Sequence, residues 1–127
     1  MHLTGVGQDQ GPDAQGNLVT TATISFAGFP IGTTRASFTP SGPPTGGVLA
    51  FTGPIVFTPS GSTATVTATV AGSVDLATGT FQATSTSVTA AGVPLVVSGA
   101  LTFRGTENLS TGAFTETITG RLCVNRR

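Results

Sequence analysis

Tryptophan, tyrosine and lysine are absent from this chain, and cysteine, methionine and histidine occur once each. Without Trp and Tyr, the aromatics that usually join an apolar body to a polar tip at binding sites are missing, and all eight aromatic residues are Phe. A lone cysteine, Cys123, excludes an internal disulfide. One His and one Cys among scattered carboxylates give no spacing that would hold a metal. The single histidine, His2, lies in a stretch without periodicity, so no positioned base exists for a Ser-His-Asp arrangement. No catalytic role and no cofactor are expected from these absences.

Charge is scarce as well. Charged residues make up 8% of the chain, where an average soluble domain has roughly a quarter. The five basic residues are all Arg and the net charge is zero. A nucleic-acid partner needs a basic patch that displaces counterions, and five scattered Arg do not form one. Mean hydropathy is positive, yet no apolar run reaches the length of a membrane-spanning helix, so no transmembrane segment is expected. The opening MHLTGVGQDQGPDAQG has neither a basic region nor an apolar stretch, and reads as no signal peptide. A composition rich in Thr and Gly without Lys is compatible with an exported or cell-surface protein, and equally with a bias in the base composition of the source genome.

What remains is a pattern of alternation. In Thr63–Leu76, TATVTATVAGSVDL, the positions Ala64, Val66, Ala68, Val70, Gly72, Val74 and Leu76 alternate with hydroxyls. That period of two specifies a long antiparallel strand with one buried face. Similar runs follow at Leu18–Phe26, Thr34–Thr39, Val48–Thr58, Phe81–Thr89, Val93–Gly105 and Ala113 onward. Gly and Pro cluster between them, where turns are needed. Pro54 interrupts its run and marks an edge, a bulge or a break. Residues 1–16 show no period and read as an N-terminal arm, with a short strand near Leu3–Val6 as its one candidate element; residues 17–127 read as one domain.

Turn chemistry sets the registers. The PSGS turn at 59–62 pairs Phe57 with Ala64 and Ile55 with Val66. DLATGTF (75–81) pairs Val74 with Phe81 and Gly72 with Ala83, with Gly79 supplying a positive φ. AAG (90–92) pairs Ala83 with Gly99 and Phe81 with Leu101. NLSTGAF (108–114) repeats the chemistry of DLATGTF and sets Glu116 opposite Gly105 and Ile118 opposite Phe103. Each choice keeps apolar faces together. The fold class is therefore all-β, a small antiparallel barrel of seven or eight mostly meander-connected strands, with a jelly-roll-like β-sandwich as the alternative.

Three features bear on function. Glu116 falls on the inward face between Phe114 and Ile118, where a desolvated carboxyl has a raised pKa and serves as an acid or base; at a wet barrel mouth it simply meets solvent. Cys123 falls outward, as a small semi-buried side chain or an intersubunit thiol. Thr65, Thr67 and Thr69, with Thr84 and Thr86 beside them and Thr115, Thr117 and Thr119 on another strand, form hydroxyl ladders. Such an uncharged surface suits packing against copies of the same protein, where charge would be costly to desolvate. The leading expectation is thus a non-catalytic structural module that self-associates as a surface, coat or filament subunit. The alternative is a barrel holding an apolar small molecule, a cyclase- or isomerase-like pocket with Glu116 as its polar or acid/base group. Against it, Ala, Gly, Val and Phe leave little predicted cavity. An ice-binding Thr face comes third, because twisted strands spoil a flat lattice match.

Overall fold

The computed structural model describes residues 1–126. Arg127, the last residue of the expected domain, lies outside the described residues. Among these residues eight strands alternate with short turns: β1 (His2–Pro12), β2 (Leu18–Phe26), β3 (Phe29–Pro40), β4 (Val48–Pro59), β5 (Thr65–Asp75), β6 (Thr80–Ala91), β7 (Leu95–Glu107) and β8 (Ala113–Arg126). Each pairs antiparallel with its neighbour in sequence, and β8 returns to β1, closing the sheet. A closed meander leaves no edge exposed, and the sandwich alternative falls away. No helix of the described residues is long and apolar enough to cross a membrane.

The segment read as an arm is a stave of the barrel. In β1, Thr4 pairs with Ser25 of β2 and Thr117 of β8, and Gly5 pairs with Ile24 and Glu116. His2, read as part of an unstructured arm, sits on this strand opposite Thr119. Two of the four quoted registers hold: Val74 faces Phe81, and Glu116 faces Gly105. The other two slip by even steps. Phe57 pairs with Val66 instead of Ala64, because Pro59 stays in β4 and the Ser60 N–H donates to the Ile31 carbonyl at 2.9 Å. Phe81 pairs with Gly105 instead of Leu101, because β6 continues to Ala91 and the turn falls at residues 92–94. A bulge in β6 accompanies this slip. Val70 faces Ser85 while Thr69 faces Ser87, and the extra Thr86 donates its hydroxyl to the Thr69 carbonyl. Beyond the bulge Val88 turns inward and is buried. Pro54 coincides with a gap in the β3–β4 ladder, between Ala36–Ile55 and Thr39–Thr52.

The two halves of the interior differ. Toward the end carrying the β2–β3, β4–β5 and β6–β7 turns, Ile24 and Val70 (each 1% exposed) pack with Ala68, Val88, Leu101 and Ile118 into a solid plug. Each large side chain there contributes about 1.5–3 kcal/mol by leaving water. The other half is not filled. Several inward side chains near that end are large and lie against a glycine of the neighbouring strand. Phe114 lies over Gly7, Phe81 over Gly105 and Glu116 over Gly5, where an added Cβ would meet the Glu116 Oε1 at 2.7 Å. Omitting the Cβ on one strand makes room for a long side chain from the next.

Candidate functional site

The unfilled half is a cavity of about 290 Å³ that opens at the end bearing the β1–β2, β3–β4, β5–β6 and β7–β8 turns. The sequence reading expected a packed interior with little space. That expectation holds for the plugged half and fails for this one.

Four leucines ring the mouth, one beside or within each turn: Leu18, Leu49, Leu76 and Leu109. The repeated heptapeptide explains two of them. In 75–81, the Asp75 Oδ1 accepts from the Ala77 and Thr78 N–H groups, and the Gly79 N–H returns to the Asp75 carbonyl at 2.7 Å. In 108–114, the Asn108 Oδ1 accepts from Ser110 and Thr111, and the Gly112 N–H returns to the Asn108 carbonyl at 2.7 Å. Gly79 and Gly112 have φ of 78° and 80°, a conformation that costs a side-chain-bearing residue about 1–2 kcal/mol. The same chemistry thus places Leu76 and Leu109 at equivalent rim positions.

The rim is laced together by backbone bonds. The Gly47 carbonyl accepts from the Leu76 N–H, the Gly79 carbonyl from the Glu107 N–H, and the Gly112 carbonyl from the Asp9 N–H, at 2.8, 2.9 and 2.8 Å. Two of these donors carry carboxyl side chains that line the cavity, Asp9 and Glu107. Their backbones are therefore fixed to the neighbouring turn before any side chain acts.

Three carboxyls line this space: Asp9 from β1, Glu107 from β7 and Glu116 from β8. Burial pushes the Glu116 carboxyl up to about 7. Glu107 is also raised to about 7, first by burial, then by the negative charge of Asp9 and a hydrogen bond between the two side chains. The neighbouring charge and the hydrogen bond both favour the protonated form of Glu107. Near neutral pH Glu116 and Glu107 therefore have the property an acid or base catalyst requires, being able both to give and to take a proton. Among the described residues no cationic side chain lines the cavity; Arg35, Arg104 and Arg121 stand on outward, exposed positions. No three His, Cys, Asp or Glu of the described residues come close enough to hold a metal ion.

Glu116 stands inward as expected, half-buried on the wall of the open cavity. Asp9 and Glu107 escaped the sequence reading. The signal for Glu107 was present: Leu101, Phe103 and Gly105 point inward, and two residues further comes Glu107. Asp9 gave no such signal, since its strand was read as an arm. The Thr residues singled out, Thr65, Thr67, Thr69, Thr84, Thr86, Thr115, Thr117 and Thr119, are absent from the cavity lining and lie on the outer surface. Strand β7 stands between those on β5–β6 and those on β8, and its Thr102 pairs with both Thr84 and Thr119. Cys123 is exposed, as a free thiol. Comparison with family models, with curated proteins and with solved structures found no match to this chain.

Proposed function

We propose that this barrel binds a small, largely apolar molecule in its open half, with Glu116 as the polar group that orients the ligand or exchanges a proton with it. The observation carrying this reading is the cavity itself. It is close in size to the smaller known ligand pockets, roughly 300–1,000 Å³, and its walls are phenyl and aliphatic side chains with a few carboxyls. The ring of leucines gives an apolar ligand a continuous path inward. A carboxyl holding its proton near pH 7 donates a hydrogen bond as well as accepting one, which suits an oxygen-bearing hydrocarbon or an acid/base step of the isomerase or cyclase type.

The test is direct binding of an uncharged fluorescent probe, N-phenylnaphthylamine. Saturable enhancement of its emission is expected, weakened at least about tenfold when Ala36→Leu fills the cavity. A Leu109→Arg change at the rim gives a second comparison that leaves the buried packing alone. An unsaturable response, or equal binding by parent and both variants, would sink the reading.

A second reading, self-association, draws on the plugged end of the barrel. There Phe26 and Phe29, 54% and 74% exposed, flank the two-residue turn Ala27–Gly28 and form an unshielded apolar tip. End-to-end contact through this hairpin is one form that self-association would take, beside the contact through Thr faces expected from the sequence. Light scattering on the parent and on Phe29→Ser distinguishes it: a larger species lost in the variant supports the contact, and a parent monomer at high concentration rules it out.

A further inference from the structure

The cavity has two unlike walls. Its three carboxyls come from β7, β8 and β1, which are adjacent in the closed sheet. Across the cavity, β3, β4 and β5 contribute mainly apolar side chains, among them Ala36, Phe38, Leu49, Phe51 and Val74. Phe38 and Phe51 pack at 4.8 Å between centroids, and Phe81 meets Phe114 edge-to-face at 6.0 Å. Thus all the acids lie on one side, with Phe103 and Phe114 beside them, while the other side is apolar apart from Thr34. Thr20 and Thr34 are the remaining polar groups of the lining, and β2 through β6 add no titratable side chain to it.

We propose that the ligand is an amphiphile whose polar end is a protonated amine, held against the β7–β8–β1 wall with its hydrocarbon against β3–β5. This rests on the cavity being an apolar-ligand site, and it specifies the ligand's charge. Three acids face the space and no cation answers them. An anionic ligand would add like charge to this partly desolvated wall. A neutral one leaves Glu107 and Glu116 protonated and gains only apolar contact. An ammonium supplies the missing charge, and phenyl faces favour the same ion. Binding then releases protons from the carboxyls, so affinity for the amine rises with pH through about 7, where both raised groups titrate.

Titration calorimetry with octylamine, octanol and octanoate tests this on the full chain, since the three share a hydrocarbon and differ in charge. At pH 8 octylamine is expected to bind about tenfold more tightly than octanol, with octanoate weakest. At pH 5 the advantage of the amine over the alcohol shrinks severalfold. Glu107→Gln combined with Glu116→Gln brings the amine-to-alcohol ratio near one, with circular dichroism confirming the fold. The pH comparison on the parent stands even if that double variant does not fold. Octylamine binding no better than octanol at pH 8 overturns the charge preference and leaves the apolar site intact. Failure of all three to bind the folded protein overturns the apolar site as well.

Discussion

Deletion of residues 1–12 is expected to abolish cooperative unfolding and to leave an aggregating chain. A detachable arm would be lost with no change in melting temperature. Here β1 bridges β2 and β8 through ladders on both sides, seven paired positions on each. Its removal unpairs two strands at once, exposes the edges that closure had hidden and opens the apolar interior to water. That loss exceeds the roughly 5–15 kcal/mol that holds a typical domain together. Adding a synthetic peptide of residues 1–12 should restore a melting transition, because an extended segment docks into a gap between two open edges by strand addition. Differential scanning calorimetry, with and without the peptide, measures both effects. A truncated protein that melts like the parent would show that β1 contributes nothing to closure.

Glu116→Gln should stabilise the protein at alkaline pH and leave it unchanged in acid. The carboxyl of the unfolded chain releases its proton near 4.5, and that of the folded chain near 7. Between those values the folded state holds more protons, so stability falls as pH rises. Below about pH 4 both states are protonated and the penalty vanishes; above about pH 8 both are ionised and it persists in full. The shift corresponds to as much as about 3 kcal/mol, which glutamine, an uncharged near-isostere, removes. The parent's melting temperature at pH 8 should lie on the order of 10 °C below that of the variant, and the two should coincide at pH 4. Glu107, raised by burial and by Asp9, adds to the parent's slope in the same direction. Identical melting of parent and variant at both pH values would place the Glu116 side chain in water.

The two hairpins built on DLATGTF and NLSTGAF were legible to the residue, since an Asx turn closed by a left-handed glycine admits one geometry. The β4–β5 and β6–β7 pairings were not, and the reason lies in the period of a strand. A slip of two or four residues keeps every side chain on its own face, so alternation alone does not detect it. What decided the slips were non-local: the Ile31 carbonyl that holds Ser60 and the bulge at Thr86. Most of strand β1, beyond the short piece near Leu3–Val6, was hidden for another reason. Its inward positions carry Gly5, Gly7 and Asp9, while Val6, 64% exposed, points out. The pattern looks blank or inverted because Glu116 and Phe114 fill the space that β1 leaves. The acidic wall of the cavity was half visible for the same cause: Glu107 continues a readable strand, and Asp9 belongs to the unreadable one.

An even number of up-and-down strands also sets where the chain starts and stops. Met1 is bonded to Gly120 at the plugged end, and β8 runs down to the same end. Anything joined to either terminus, be it a tether, a neighbouring module or a solid support, therefore hangs from the side opposite the leucine ring. Immobilised by its termini, the protein stands like a cup on its foot, with the opening turned toward the solution.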